Sequence, residues 1–201
     1  IASTVVVLRY TGTAGVTVGL ALQGGLANLA GGVLLLLFKP FVVGDYIIQD
    51  QSNGCEGTVA KIEICYTTLL SIDNKKIVVP NGTLSNSTII NVTAKENRKL
   101  EIKVGISYEA DIQKAKRIIE KILREDADTK SDTKEMVVFV DELADSAVIM
   151  GLRVWVSTER YWPTKWRLNQ KIKEEFDANG IVIPYNQMEV YWRKLALCPV
   201  P

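Results

Sequence analysis

From Ile1 to Phe38 the chain carries one basic side chain, Arg9, and no acidic one, while from Lys39 onward charges occur at ordinary density. A spanning helix needs about 20 apolar residues, and Ile1 to Gln23 supplies that length. Leu26 to Phe38 is too short to span and is expected to lie near the membrane interface, beyond a bend at Gly24-Gly25. Lys39, Pro40 and Gly44 then read as a helix stop, with positive charge where a membrane boundary favours it. A cleaved signal peptide fits poorly, because there is no basic leading region and glycines run through the apolar stretch.

Beyond Pro40 the pattern changes to short alternating runs. Tyr46 to Gln49, Gly57 to Ile64, Thr67 to Ser71 and Lys76 to Val79 read as strands, separated by turn residues at Asp50 to Gly54 and at Asp73-Asn74. Four such strands predict a small, strongly bent antiparallel barrel. Leu100 to Ser107 alternates again, and Asp111 to Leu123 sets Ile112, Ala115, Ile118, Ile119 and Ile122 on one helical face. Met136 to Asp141 and Ala147 to Val156 read as strands. Pro163 suits the first turn of a helix with Trp166, Ile172 and Phe176 as its apolar stripe and Asn179-Gly180 as its stop, and Ile181 to Ile183 closes the series. The order β-α-β-β-α-β is that of a split ferredoxin-like unit, a fold that hosts many functions.

Within the apolar segment Gly12, Gly15 and Gly19 recur at helical spacing beside Thr13, Ala14, Thr17 and Ala21. Small residues so spaced let helix backbones approach closely, which in lipid is a main source of association, so this surface expects copies of itself. Val16 and Leu20 stand four apart between the small positions and share a stripe that neighbouring helices need not cover. In a ring of identical helices that stripe faces the axis, where two stacked apolar rings make a constriction that can dewet. A glycine-rich core helix of a soluble fold is the competing reading, and it is the weaker one, because seven glycines between Gly12 and Gly32 are costly in an ordinary helix.

Charge and composition exclude several classes. The formal net charge of +1 gives no broad field toward nucleic acid or anionic lipid. Cys55, Cys65 and Cys198 form no paired framework and the chain has no histidine, which argues against a metal site, a cofactor-dependent centre or enzyme activity. Lys114, Lys116, Arg117, Lys171, Lys173, Glu174 and Glu175 read as a solvated face. Asp141-Glu142 and Asp145, with no partnering acid, nucleophile or cleft, read as a turn.

The ordered set Gly19-Leu20-Ala21-Leu22-Gln23-Gly24-Gly25-Leu26-Ala27-Asn28-Leu29-Ala30-Gly31-Gly32-Val33-Leu34-Leu35, then Lys39-Pro40-Phe41 and Gly44-Asp45, resembles the pore-lining helix of the small-conductance mechanosensitive channel (MscS) family. Val78-Val79-Pro80-Asn81-Gly82, Phe176 to Ile181 and Pro184-Tyr185 extend the resemblance over nearly the whole chain. It implies a kinked membrane pore helix and interfacial helix over 1–39, a small all-β Sm-like barrel domain over 40–95 and an α+β ferredoxin-like domain over 96–187. Over 188–201 it implies a C-terminal strand, Glu189 to Arg193, that forms an intersubunit barrel, and a tail. It makes Val16 and Leu20 the pore constriction, Gly24 and the flexible Gly32 hinges, Leu22 and Leu26 the force-coupling positions, and Lys39 the membrane-boundary charge. Gly12, Gly15, Gly19 and Ala21 pack neighbouring helices.

The implied protein is a homo-oligomer, a heptamer by resemblance, in the bacterial cytoplasmic membrane with its later domains in the cytoplasm. It would open under membrane tension to release ions and small osmolytes, with lipids as its other partners and no nucleic acid. Three departures stand out. Family members carry two further transmembrane helices ahead of the pore helix, so this sequence is expected to be a piece of a longer protein. Arg9 and Tyr10 stand where small or apolar residues are usual, and Thr13 and Thr17 replace alanines. Arg9, near the outer mouth, is expected to favour anions. The rival readings are a soluble Sm-like and ferredoxin-like module that binds RNA or a nucleotide, and a ligand-gated channel of the same fold.

Overall fold

The computed structural model describes residues 2–50, 54–129, 136–188 and 190, with backbone alone for 2–15. The chain divides into two compact units, Ile1–Lys95 and Glu96–Pro201.

The first unit opens with one helix, α1 (Ala2–Phe38), that runs unbroken through Gly24-Gly25 and Gly31-Gly32. Helical hydrogen bonding therefore continues through the glycine pair where the bend is expected. Glycine weakens a helix by about 1 kcal/mol relative to alanine, yet it keeps the N–H that the ladder needs, so paired glycines need not interrupt it. Among the residues with described side chains the stretch apolar enough to span a membrane is Val16–Phe38. The segment expected to stand apart at the interface thus belongs to the same apolar helix. The helix ends with Lys39 in the left-handed region (φ 47°), its N–H bonded to the Leu35 carbonyl at 3.0 Å.

Strands β1 (Tyr46–Gln49), β2 (Glu56–Ile62), β3 (Tyr66–Leu70), β4 (Lys76–Pro80) and β5 (Ile89–Asn91) follow, with the short helix α2 (Asn81–Ser85) between the last two. They form one antiparallel sheet in the order β4-β3-β2-β1-β5, bent where the β2–β3 register shifts between Val59 and Lys61. Alternation sends Ile47, Val59, Leu69 and Val79 inward to meet Phe41, Leu84 and Leu35 of α1. The sequence reading missed β5 and α2. β5 is a three-residue edge strand without an alternating signature, and α2 is a single turn set by Pro80.

The second unit comprises β6 (Asn97–Ile106), α3 (Ile112–Glu125), β7 (Val137–Leu143), β8 (Val148–Ser157) and α4 (Tyr161–Ala178). The sheet is antiparallel with β8 central, in the order β6-β8-β7. Asp111 caps α3, accepting from the N–H groups of Gln113 (2.8 Å) and Lys114 (3.1 Å). Ala115, Ile119, Ile122 and Leu123 of α3 and Leu168, Ile172 and Phe176 of α4 cover β8 to make the core.

Three expectations are corrected here. Trp166 is exposed, and Leu168 takes its place in the stripe, because a six-residue spacing turns Trp166 about 120° away from Ile172 and off the buried face. Asp141 and Glu142 lie in β7 across a bulge, not in a turn, with Asp141 paired to Lys103 at 2.6 Å. Ile181 to Ile183 forms no strand, although Ser107 N–H donates to the Val182 carbonyl at 2.9 Å.

An ion cluster ties the end of α3 to α4. The buried Asp126 carboxylate accepts two bonds from Arg167, both 2.8 Å, and Arg167 also reaches Asp128 at 2.7 Å. Burial pushes the Asp126 carboxyl up, but Arg167 and the Asp128 N–H outweigh it and hold the group below its ordinary range.

Candidate functional site

Two properties of α1 divide it in the middle. On the part from Val16 to Leu26 the side chains are open: Val16 is 64% exposed, Leu20 67%, and Leu22 and Leu26 each 56%. Ala21 is exposed as well, and side chains placed on Gly19, Gly24 or Gly25 would meet nothing within 4 Å. Among the described residues, the constriction and coupling positions, with Gly19, Ala21 and Gly24, thus stand open on the helix surface. Apolar side chains on this scale need lipid or other copies of the helix to cover them. Arg9, Gly12 and Gly15 lie on the α1 backbone, and the Arg9 side chain and the surroundings of the two glycines are not described; Glu189 and residues 191–201 of the expected C-terminal strand and tail lie outside the described residues.

From Asn28 to Leu35 the helix is seated. Asn28 Oδ1 accepts the Gly82 N–H of α2 at 3.1 Å, Gly31 and Gly32 are buried, and Leu35 enters the core of the strand unit. The seat is built around Asn81, which is fully buried. Its N–H donates to the Cys65 carbonyl (2.9 Å), its Nδ2 to the Glu63 carbonyl (2.7 Å), and its Oδ1 accepts from Thr67 Oγ1 (2.7 Å). These bonds fasten the β2–β3 turn, Glu63 to Cys65, beneath the helix. Sequence reasoning used Val78-Val79-Pro80-Asn81-Gly82 only as part of the family resemblance and gave Asn28, Gly31 and Asn81 no role. The signal lay in the glycine pair three and four residues beyond Asn28, but the partner Gly82 was 54 residues from that asparagine and invisible to periodicity.

The exit of α1 is also fixed. Asp45 accepts from the Val42 N–H (2.8 Å), from Asn91 Nδ2 (2.9 Å) and from Thr93 Oγ1 (3.0 Å), and Asn91 Nδ2 also donates to the Pro40 carbonyl at 3.3 Å. Burial works to raise the Asp45 carboxyl, but these donors prevail and lower it. Among the described residues no cluster of three or more histidine, cysteine or acidic side chains could hold a metal ion. The helical charges named above make local contacts: Lys114 Nζ donates to the Asn179 carbonyl (2.6 Å), Lys173 pairs with Asp177, and Glu174 accepts from Gln170 (2.8 Å).

Known proteins share this arrangement. The family model for the mechanosensitive ion channel beta-domain matches residues 25–94, and that for the mechanosensitive ion channel MscS C-terminal region matches residues 100–183. The chain is 40% identical to the small-conductance mechanosensitive channel of Edwardsiella ictaluri over 178 residues, which are 89% of this chain and 61% of that protein. It is 32% identical to the small-conductance mechanosensitive channel of Helicobacter pylori, over 92% of this chain and 66% of that one. The chain thus spans somewhat under two thirds of the curated relatives it matches. The crystal structure of Helicobacter pylori MscS in its closed state superposes with a TM-score of 0.86 at 29% identity, covering 96% of this chain and 75% of that one. The cryo-EM structure of Arabidopsis thaliana MSL1 shares the fold, with a TM-score of 0.73 at 19% identity over 89% of this chain and 65% of that one. With two models of one family spanning most of the chain, and a solved member matching both its units, the chain belongs to the MscS family of mechanosensitive ion channels.

Proposed function

We propose that this chain is the pore helix and following domains of a mechanosensitive channel that opens under membrane tension and lets ions and small osmolytes leave the cell. The observation that carries the reading is the division of α1. A stretch of open apolar side chains, with Val16 and Leu20 on one stripe, leads directly into a segment fastened to a folded strand unit. Copies of α1 around an axis would cover the small-residue surface of Gly12, Gly15, Gly19 and Ala21 and leave the Val16 and Leu20 rings facing inward. The closed rings are dry, and opening must hydrate them. Tension favours the state of larger in-plane area, so it offsets that cost.

A ring of seven subunits accords with the family, and the strand unit favours a closed ring. Its sheet has two free edges, β4 and β5, whose unpaired backbone groups suit pairing between neighbours in a heterologous ring. In this proposal residues 1–39 serve as pore and interfacial helix, 40–95 as an Sm-like ring domain, 96–187 as a ferredoxin-like domain and 188–201 as the strand of an intersubunit barrel. Gly24, with open space around it, is the hinge. Leu22 and Leu26 couple the helix to lipid-facing neighbours, Lys39 marks the cytoplasmic face of the bacterial inner membrane, and Arg9 biases the outer mouth toward anions.

The reading is tested by osmotic down-shock of bacterial cells that lack mechanosensitive channels of their own. Expression of the whole natural protein is expected to restore survival; no gain over empty-vector cells, with the protein present in the membrane, would contradict it.

A further inference from the structure

Among the described glycines of the first unit, Gly32 of α1 makes the closest approach to its surroundings, and its neighbour Gly31 is also tightly seated. A Cβ on Gly32 would come 1.9 Å from the Ile64 carbonyl oxygen and 2.7 Å from Asn81 Nδ2. A Cβ on Gly31 would come 2.7 Å from the Asn81 carbonyl carbon and oxygen and 2.8 Å from the Gly82 nitrogen. At Gly32 the nearest obstacle is backbone, and the backbone cannot step aside. The Ile64 carbonyl belongs to the turn that Asn81 Nδ2 holds through Glu63, and that turn closes with a Glu63 N–H to Tyr66 carbonyl bond of 2.8 Å. Asn81 is itself fixed by Thr67 Oγ1 and the Cys65 carbonyl. Gly24 and Gly25, about two turns earlier, meet nothing within 4 Å.

We propose that Gly31, Gly32 and Asn81 are positioning residues for the gate: by having no side chain, Gly32 seats the end of the pore helix on the β2–β3 turn and Gly31 seats it on the Asn81–Gly82 backbone, and Asn81 is the bracket that holds the turn in place. Gly32 then serves contact, in place of the hinge role that the family resemblance implies for it. The proposal rests on reading α1 as the pore helix, and it gives the hinge at Gly24 a mechanical basis. A helix held from Asn28 to Leu35 cannot pivot within the held part, so bending must fall in the first unheld turn before it. Gly24-Gly25 occupies that turn, and the Val16 and Leu20 rings lie beyond it. The seat thereby fixes one end of the lever that sets the width of the constriction.

A flexibility role and a seating role differ in what alanine does. Alanine stiffens a helix at any glycine, whereas the seat is blocked at Gly32 and not at Gly25. The test is a spin-label distance between cysteines introduced at Leu37 and Lys75, in the whole natural protein with Cys55, Cys65 and Cys198 replaced by serine, reconstituted in unstretched liposomes. Gly32→Ala is expected to abolish the parental distance in favour of longer, broader ones, and Gly25→Ala to retain it. Asn81→Asp, which keeps the acceptor for Thr67 but loses the donor to Glu63, is expected to broaden the distribution without stiffening the helix. A parental distance in Gly32→Ala, or equal disturbance by Gly25→Ala, would overturn the proposal. Because the readout needs no ion current, it is independent of whether the protein conducts under tension.

Discussion

At the scale of single residues, the functional argument turns on what two apolar side chains and one buried hydroxyl cost to change. Burying a leucine or valine side chain away from water is worth about 2 kcal/mol, and in a ring that cost of wetting is repeated by every subunit. Leu20→Ser or Val16→Ser should therefore open at clearly lower tension than the parent, as read by patch-clamp thresholds; unchanged thresholds in both variants would sink the gate assignment. Thr67 is the sole side-chain donor shown for the buried Asn81 Oδ1. Thr67→Val keeps the shape but leaves that acceptor unpaired, which costs about 1–3 kcal/mol. The thermal midpoint of the whole protein is expected to fall, and Thr67→Ser to restore most of the loss; a Thr67→Val midpoint at the parental value would show that the bracket is not under load.

At the scale of elements, the Asp126–Arg167 cluster makes the second unit acid-sensitive. The Asp126 carboxyl titrates lower in the folded chain than in the unfolded one, where an ordinary aspartate titrates at about 3.9. Its contribution is therefore complete above about pH 4 and is lost as pH falls through the lowered folded value. All four tryptophans lie in this unit or its following segment, at positions 155, 162, 166 and 192, so their fluorescence follows it selectively. The urea midpoint read this way should drop steeply below about pH 4, and Asp126→Asn should lower the neutral-pH midpoint and flatten the acid drop. Breaking one partner of a buried pair costs about 3 kcal/mol; a parental midpoint at neutral pH would contradict the cluster's structural role.

Most of these elements were legible from periodicity. Tyr46 to Gln49 alternates cleanly and is β1 as expected, and the Ala115, Ile119 and Ile122 spacing gave α3 its inner face. What escaped was set by contacts far along the chain. Trp166 was taken for core because it is large and apolar, while the helical angle favoured Leu168. Gly32 looked like flexibility, because a sequence cannot show that the Ile64 carbonyl stands against it.

At the scale of the whole molecule, the proposed pore repeats each α1 side chain around an axis. Arg9, repeated around the outer mouth, should raise the local anion concentration. In a salt gradient the parent is expected to show a reversal potential shifted toward the anion relative to Arg9→Ser, and equal potentials would reject the assignment. The central claim, that tension opens a pore lined by α1, is tested most directly by patch-clamp recording of the whole natural protein in liposomes under graded suction. Stepwise openings whose probability rises with tension are the predicted result; silence at every tension up to membrane rupture, with the protein inserted, would contradict it.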